Sequence, residues 1–342
     1  MKIAHIYVSD AKQNSGDYMI GIATKRYFAE TILKKDYKDC QFTSLNCRHA
    51  DLYNSANITK LNEYDYILVG GGGLILPDSA PNKISAWQWI IPKENYSLIK
   101  KPIYVISIGY NLFYGQKITM PNRNNNAEDS SRYAIFKYNI EELIRHAASF
   151  SLRHHYDIEK LKEIVDISLH HKIKFEFCPT AWYSRVYHKP RLNFTKKYIA
   201  FEIKDDRPLR RYYKIGLDKF YQILLNVINK CLENNINVCY LSHDSSRKFY
   251  DYLIQNHIKI PFIDNSCANE IKIYNNYSKI NKVVCTAGHS QMIADALGLE
   301  IISLITHPKL KAYCDDTNNS KYIIVNEDPD LENKLVKLIL RK

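Results

Sequence analysis

From the second residue almost to the last, short apolar segments alternate with longer amphipathic ones, and that rhythm leaves few folds open. The first half reads as strands over "KIAHIYV", "QFTSL", "YDYILVGGG", "PIYVISIGY", "SFSLR" and "FEFCP", spaced by helical patterns at 17–34, 84–99, 131–147 and 156–165. Short apolar strands separated by helices are buried on both faces, so the expected arrangement is parallel sheet with helices on either side. Residues 183–197, "YSRVYHKPRLNFTKK", carry Pro190 and many charges without a period, and read as a linker. The alternation resumes with "YIAFEI", a helix over 217–233, "INVCYLSHD", a helix over 245–257, "IPFID", a helix over 268–278, "KVVCTAG", a helix over 289–298, "EIISLI" and "YIIVN". The closing segment "DPDLENKLVKLILRK" has Asp328 as the expected N-cap and Pro329 at the first helical position. A chain of 342 residues exceeds one ordinary core. Two Rossmann-like α/β domains are therefore expected, over 1–182 and 198–342, facing each other across a cleft.

The apolar fraction of 46% is enough for two such cores. No stretch of about 18 uninterrupted apolar residues occurs, so no transmembrane helix is expected. The start, "MKIAHIYVSD", reads as a strand without the basic-then-apolar pattern of a signal peptide, which points to the cytoplasm. The eight cysteines are scattered singly, with no CxxC pair and no His/Cys cluster of zinc spacing, so reduced structural thiols and no metal are expected. The formal charge of +12 admits nucleic acid, an anionic membrane surface or an anionic substrate. Nucleic acid is the weakest of these, because the basic residues are dispersed and no zinc-finger, RNP-like or helix-turn-helix pattern accompanies them. Basic stretches such as "DDRPLRRYYK", 205–214, leave open peripheral contact with the inner face of a membrane or with a lipid-linked diphosphate.

Ligands of parallel α/β sheets bind beyond the carboxyl ends of the strands, so the strand tips are the candidates. Asn14, Gly16 and Asp17 follow the first strand. After the third comes "GGGGLI", where Gly71, Gly72 and Gly73 would bare backbone N–H groups to an anion or to a close neighbour; no Lys-Ser/Thr follows, so it is not a P-loop. The fourth ends in "SIGYN", and the fifth in "LRHHYD", placing Arg153 where its planar fork can clamp a phosphate or carboxylate. In the second half His243 and Asp244 end one strand, Gly288 and His289 sit at a strand-to-helix turn, and Lys309 follows the next strand in "THPKLK".

In order and spacing these tips resemble the polysaccharide pyruvyl transferase family over nearly the whole length. The resemblance rests on "NSGD", "GGGGLI", "SIGYN", "LRHHYDIEKL", "CPTAW" and "ANEIKIYNNYSKINKVVCTAGHSQMIADALGLEIISL". Where the family has an arginine two residues before its histidine this chain has Ala287, and Gly288, His154, Asp157 and Cys178 also depart from the pattern. Lys309, Lys311 and His307 are the nearby cations that would replace the lost charge. The resemblance implies pyruvyl transfer from phosphoenolpyruvate, a donor substrate rather than a resident cofactor, to a sugar or lipid-linked glycan in capsule or other surface-polysaccharide synthesis. In that scheme Arg153 and Lys309 hold the donor's anionic groups, His289 protonates the enol methylene, and Asp17 orients or deprotonates the sugar hydroxyl. Two facing Rossmann-like halves are also the architecture of GT-B glycosyltransferases. A nucleotide sugar is thus the alternative donor, gripped by His243, Gly288, His289 and Asp295. A homo-oligomer is left open.

Overall fold

The computed structural model describes residues 1–9, 14–122 and 127–340. The chain divides into two compact units. The first comprises Met1–Ala11 and Asp17–Tyr183, and the second Lys12–Gly16 and Ser184–Lys342.

The first unit contains β1 (Lys2–Tyr7), most of α1 (Ser15–Tyr27), β2 (Gln41–Asn46), β3 (Tyr66–Ile75), β4 (Ile103–Tyr110), α2 (Ser131–His146), β5 (Ala147–Leu152), α3 (His155–Lys162), β6 (Ile173–Phe175) and α4 (Pro179–Tyr183). Its six strands form one sheet in the order β2-β1-β3-β4-β5-β6, parallel throughout. Chain order reverses between β1 and β3, which is the switch point of this doubly wound sheet.

The second unit runs β7 (Tyr198–Glu202), α5 (Pro208–Arg211), α6 (Leu217–Glu233), β8 (Val238–Ser242), α7 (Lys248–Gln255), β9 (Phe262–Asp264), α8 (Glu270–Tyr277), β10 (Ile280–Cys285), α9 (Gly288–Leu297), β11 (Glu300–Ile305), α10 (Pro308–Asp316), β12 (Tyr322–Ile324) and α11 (Leu331–Leu340). Its sheet, also parallel, has the order β12-β11-β10-β7-β8-β9, so the switch point lies between β7 and β10. No described helix is long and apolar enough to cross a membrane.

The strong periodicities appear as elements: α6 covers 217–233, where the apolar stripe Phe220, Leu224, Val227, Ile228 and Cys231 faces the core. Four expectations need correction. The helix expected over 84–99 is irregular chain with one 3-10 turn at Lys93–Leu98. Asn82 Oδ1 accepts from the backbone N–H groups of Ile84, Ser85 and Ala86, and Ala86 takes the left-handed φ of 61°. The buried Arg132 then donates to the carbonyls of Pro77, Asn82 and Ala86, so side chains satisfy the backbone that a helix would have satisfied itself. The stretch expected as a linker is helical over Ser184–His188 and Lys189–Arg191. It is pinned to its own unit, because His188 stacks on Tyr274 at 3.5 Å and bonds Glu270 at 2.7 Å. The closing helix begins at Leu331, and Asp328 instead accepts from Asp330 N–H in the preceding turn. Finally, α10 is a helix where no helical period was expected; His307 caps it by accepting from Lys309 N–H, with Pro308 behind the cap.

One buried histidine in each unit makes stability pH-dependent. His5 lies in β1 with Nε2 2.8 Å from the Gly70 carbonyl, and burial pushes its pKa from 6.5 to about 3. His243, at the end of β8, is pushed to about 3 by burial and then by Lys204. The unfolded chain binds these protons below 6.5 while the folded chain refuses them until about 3, so stability falls as pH drops through that window. The expected loss approaches about 1.4 kcal/mol per pH unit for each imidazole below 6.5, and the buried Glu202 carboxyl, raised to about 8, offsets the share of one of them. Urea unfolding at pH 7.0 and 5.5 (about 1.5 units apart) checks this, and a midpoint that does not fall on acidification contradicts it.

Candidate functional site

Four adjacent strands of the second sheet, β11, β10, β7 and β8, end on one edge and deliver the polar residues of that unit. From β7 come Glu202, Lys204, Asp206, Arg207 and, through α5, Arg211. From β8 come His243 and Asp244, from β10 Thr286 and His289, and from β11 Thr306, His307 and Lys309. Lys204 N–H donates to Thr286 Oγ1 at 2.6 Å and Thr286 N–H to the Glu202 carbonyl at 3.0 Å, which ties the β7 and β10 tips together at the switch point.

Lys204 Nζ pairs with Asp244, and Arg211 places Nε and Nη2 at 3.0 and 2.9 Å from Asp206 Oδ1 while Nη1 reaches Thr306 Oγ1 at 3.3 Å. Burial opposes ionisation of Asp206, but Arg211, Lys204, Arg207 and Lys309 together hold its carboxyl well below the usual range. Burial likewise disfavours the Lys204 ammonium, and Asp244, Glu202 and Asp206 outweigh it, so Lys204 stays charged. Glu202 is buried; burial, which Lys204 and Arg211 only partly offset, raises its pKa to about 8, and Oε2 has no hydrogen-bond partner among the described residues.

His289 stands at the second residue of α9, partly exposed. Burial of the ring, then His243 and the cations Lys204, Lys309 and Arg211, push its pKa well below 6.5, so the imidazole is neutral. Its Nε2 has no hydrogen-bond partner among the described residues. The Lys309 side chain lies along the same turn, with Cε 3.5 Å from where a Cβ on Gly288 would stand.

His243 differs. Its ring meets His289 edge-on at 4.7 Å, but both of its nitrogens are occupied: Nδ1 is 2.7 Å from Ser15 Oγ and Nε2 is 2.7 Å from Tyr277 Oη. The geometry gives His243 a structural place rather than the donor-gripping one expected. Asp295, expected to reach a sugar hydroxyl, accepts from Tyr313 Oη at 2.8 Å. Lys311 pairs with Asp315 and lies over the Tyr322 ring, and His307 is spent on capping α10. Of the three cations expected to offset Ala287, Lys309 alone faces His289. Lys204 and Arg211 stand beside it and are missing from the sequence-based set, although "KDDRPLRR" directly follows the apolar strand "YIAFEI" and carries the same signal as the other tips.

Among the tips expected after β1, Asn14 Oδ1 accepts from Gly16 N–H at 3.0 Å; Ser15 and Gly16 belong with the second unit, and Asp17, partly buried in the first turn of α1, with the first.

In the first unit the glycines lie inside β3 rather than after it, and they are filled from within that unit. A Cβ on Gly71 would stand 2.4 Å from Thr24 Oγ1, and one on Gly73 2.7 Å from the Asn111 side chain; at Gly72 the nearest atom is Ile20 Cγ2 at 3.9 Å. The glycines thus serve the close approach of α1 and Asn111. Arg153 emerges from β5, 7% exposed, with its guanidinium where a Cβ on Gly109 would be, Nε 3.9 Å from Asp157 Oδ2 and without a hydrogen-bond partner among the described residues. Among the described residues no group of three or more His, Cys, Asp or Glu has metal-holding geometry.

The family model for polysaccharide pyruvyl transferase matches residues 14–308. No curated protein matches the chain by sequence. Among solved structures, UDP-GlcNAc 2-epimerase of Methanocaldococcus jannaschii, in complex with UDP-GlcNAc and UDP, superposes with a TM-score of 0.54 at 11% identity, covering 99% of this chain and 92% of that one. The UDP-GlcNAc 2-epimerase of Neisseria meningitidis bound to UDP-GlcNAc gives 0.51 at 13% identity, over 99% and 91%. At such identities the likeness is one of fold, α/β with two Rossmann-like domains of the GT-B kind.

Proposed function

The chain belongs to the polysaccharide pyruvyl transferase family, and is thus a transferase; we propose that it moves the pyruvyl group of phosphoenolpyruvate onto a sugar of a surface-glycan precursor as a ketal. The observation that supports this most is the setting of His289, a neutral imidazole at a helix N-terminus among Lys204, Lys309 and Arg211.

A donor with a phosphate and a carboxylate complements that setting. Its negative charge offsets the cations that depress the His289 pKa, so the imidazole gains a proton when the donor is in place. That proton passes to the enol methylene, which becomes a methyl group, and the neighbouring carbon becomes an oxocarbenium centre. One sugar hydroxyl adds to this carbon and loses its proton to the imidazole; phosphate then departs with its bonding electrons, and a second hydroxyl closes the ketal. The second hydroxyl's proton leaves with phosphate. The N-termini of α9 and α10 and Lys309 favour the departing anion. Arg153 and Asp17 retain the anion-clamping and hydroxyl-orienting roles that the family resemblance implies.

The test is incubation of the purified protein with phosphoenolpyruvate and a panel of oligosaccharide and lipid-linked acceptors. Phosphate release matched by an acid-labile ketal on the acceptor is the expected result. Nucleoside diphosphate release from a nucleotide sugar, with no phosphate from phosphoenolpyruvate, overturns the reading in favour of glycosyl transfer.

A further inference from the structure

Gly16 occupies the second position of α1 with no positive φ, so its backbone has no need of glycine. A helix there would be more stable by about 1 kcal/mol with alanine. The reason for glycine is its neighbour: a Cβ at this position would stand 2.5 Å from His289 Nδ1 and 2.7 Å from Cγ. What holds Gly16 over the ring is Ser15. Its N–H donates to the His243 carbonyl at 2.9 Å, and its Oγ donates to the same carbonyl at 3.1 Å. With that hydrogen committed, Oγ accepts from His243 Nδ1–H at 2.7 Å, and Nε2 then accepts from Tyr277 O–H at 2.7 Å. Every polar atom of the Ser15–His243–Tyr277 chain is thus used in one consistent orientation, with His243 neutral.

We infer that Ser15 and His243 are positioning residues, which hold Gly16 so that its bare Cα lies over the face of the His289 imidazole at Nδ1. They act through the His289 ring. A fixed ring is what proton transfer to a specific carbon requires, and a shift of about 1 Å is enough to cost about a hundredfold in rate. The inference rests on the reading of His289 as the proton-transfer group, and its test has an arm independent of turnover.

The experiment compares Gly16→Ala, Ser15→Ala, His243→Leu and His243→Asn by steady-state kinetics and by imidazole NMR of His289, assigned through its loss in His289→Asn. Gly16→Ala is expected to lower kcat about a hundredfold, with phosphoenolpyruvate KM nearly unchanged, and to move the His289 ring resonances and its titration. Ser15→Ala is expected to do the same less strongly. His243→Asn, which still offers an N–H to Ser15, should keep more activity than His243→Leu. Wild-type kcat and unmoved His289 resonances in Gly16→Ala overturn the inference. If the wild type does not turn over phosphoenolpyruvate at all, the proposed function falls, and the inference is decided by the resonances alone: shifted supports it, unmoved overturns it.

Discussion

Replacing His289 with asparagine is expected to lower turnover by about a hundred- to ten-thousand-fold, the usual worth of a positioned general acid–base group. The protein should remain folded, because His289 is partly exposed and its Nε2 has no partner to lose among the described residues. Binding of phosphoenolpyruvate should survive, since the neighbouring cations remain, so the loss falls on kcat rather than KM. The pH profile carries an independent sign. In the unliganded protein His289 titrates well below 6.5, because burial, His243 and the cations disfavour its charge. Because His289 must carry a proton to act, the alkaline limb of kcat/KM, which reports the unliganded enzyme, should therefore lie lower than that of kcat, which reports the complex with the anion in place. Phosphate-release kinetics on wild type and His289→Asn check both points. An asparagine variant within about threefold of wild type is incompatible with a proton-transfer role for this residue.

Gly70→Ala is expected to be the most destabilising single methyl in the first unit. Gly70 has φ of +129°, outside the range of L side chains, and its new Cβ would lie 2.4 Å from the Ile106 carbonyl oxygen. That oxygen belongs to β4, paired with Gly70 in the sheet, and cannot turn aside as a side-chain tip can. Backbone strain costs about 1–3 kcal/mol, and the collision in a close-packed sheet should bring the total to about 3–5 kcal/mol. Gly72→Ala is the comparison. Its φ of +94° imposes similar strain, but its nearest neighbour is 3.9 Å away, so the difference between the two variants isolates the close approach. Denaturant unfolding monitored by the buried tryptophans Trp87 and Trp89 reads it. Equal midpoints for the two variants would mean that strain alone explains the glycines.

Much of the architecture could be read from periodicity. Apolar runs such as "EIISLI" and the amphipathic stripe of α6 act over short spans, and the burial they demand is met by any parallel α/β packing. The family likewise was legible, because the order of strand tips from "NSGD" to "AGHSQ" is a property of the linear chain. The place of His289 at a strand-to-helix turn belongs to that legible part.

Tertiary structure alone decided what each tip does. The spacing of "ISAWQWIIPKENYSLI", 84–99, fits a helix, but Asn82 and Arg132 take up backbone groups at its start, and Arg132 lies some fifty positions along the chain from Asn82. His243 and His289 look alike in sequence. One has both nitrogens consumed by Ser15 and Tyr277, while the other has no partner on Nε2 among the described residues, and those partners come from distant segments. Four glycines in a row admit either an anion cradle or a close neighbour, and side chains from α1 and β4's end come close at two of them. The physical reason is common to all three. Periodicity and motif order record which residues must be buried or bent locally, whereas hydrogen-bond satisfaction and close contact depend on which remote groups the fold brings alongside.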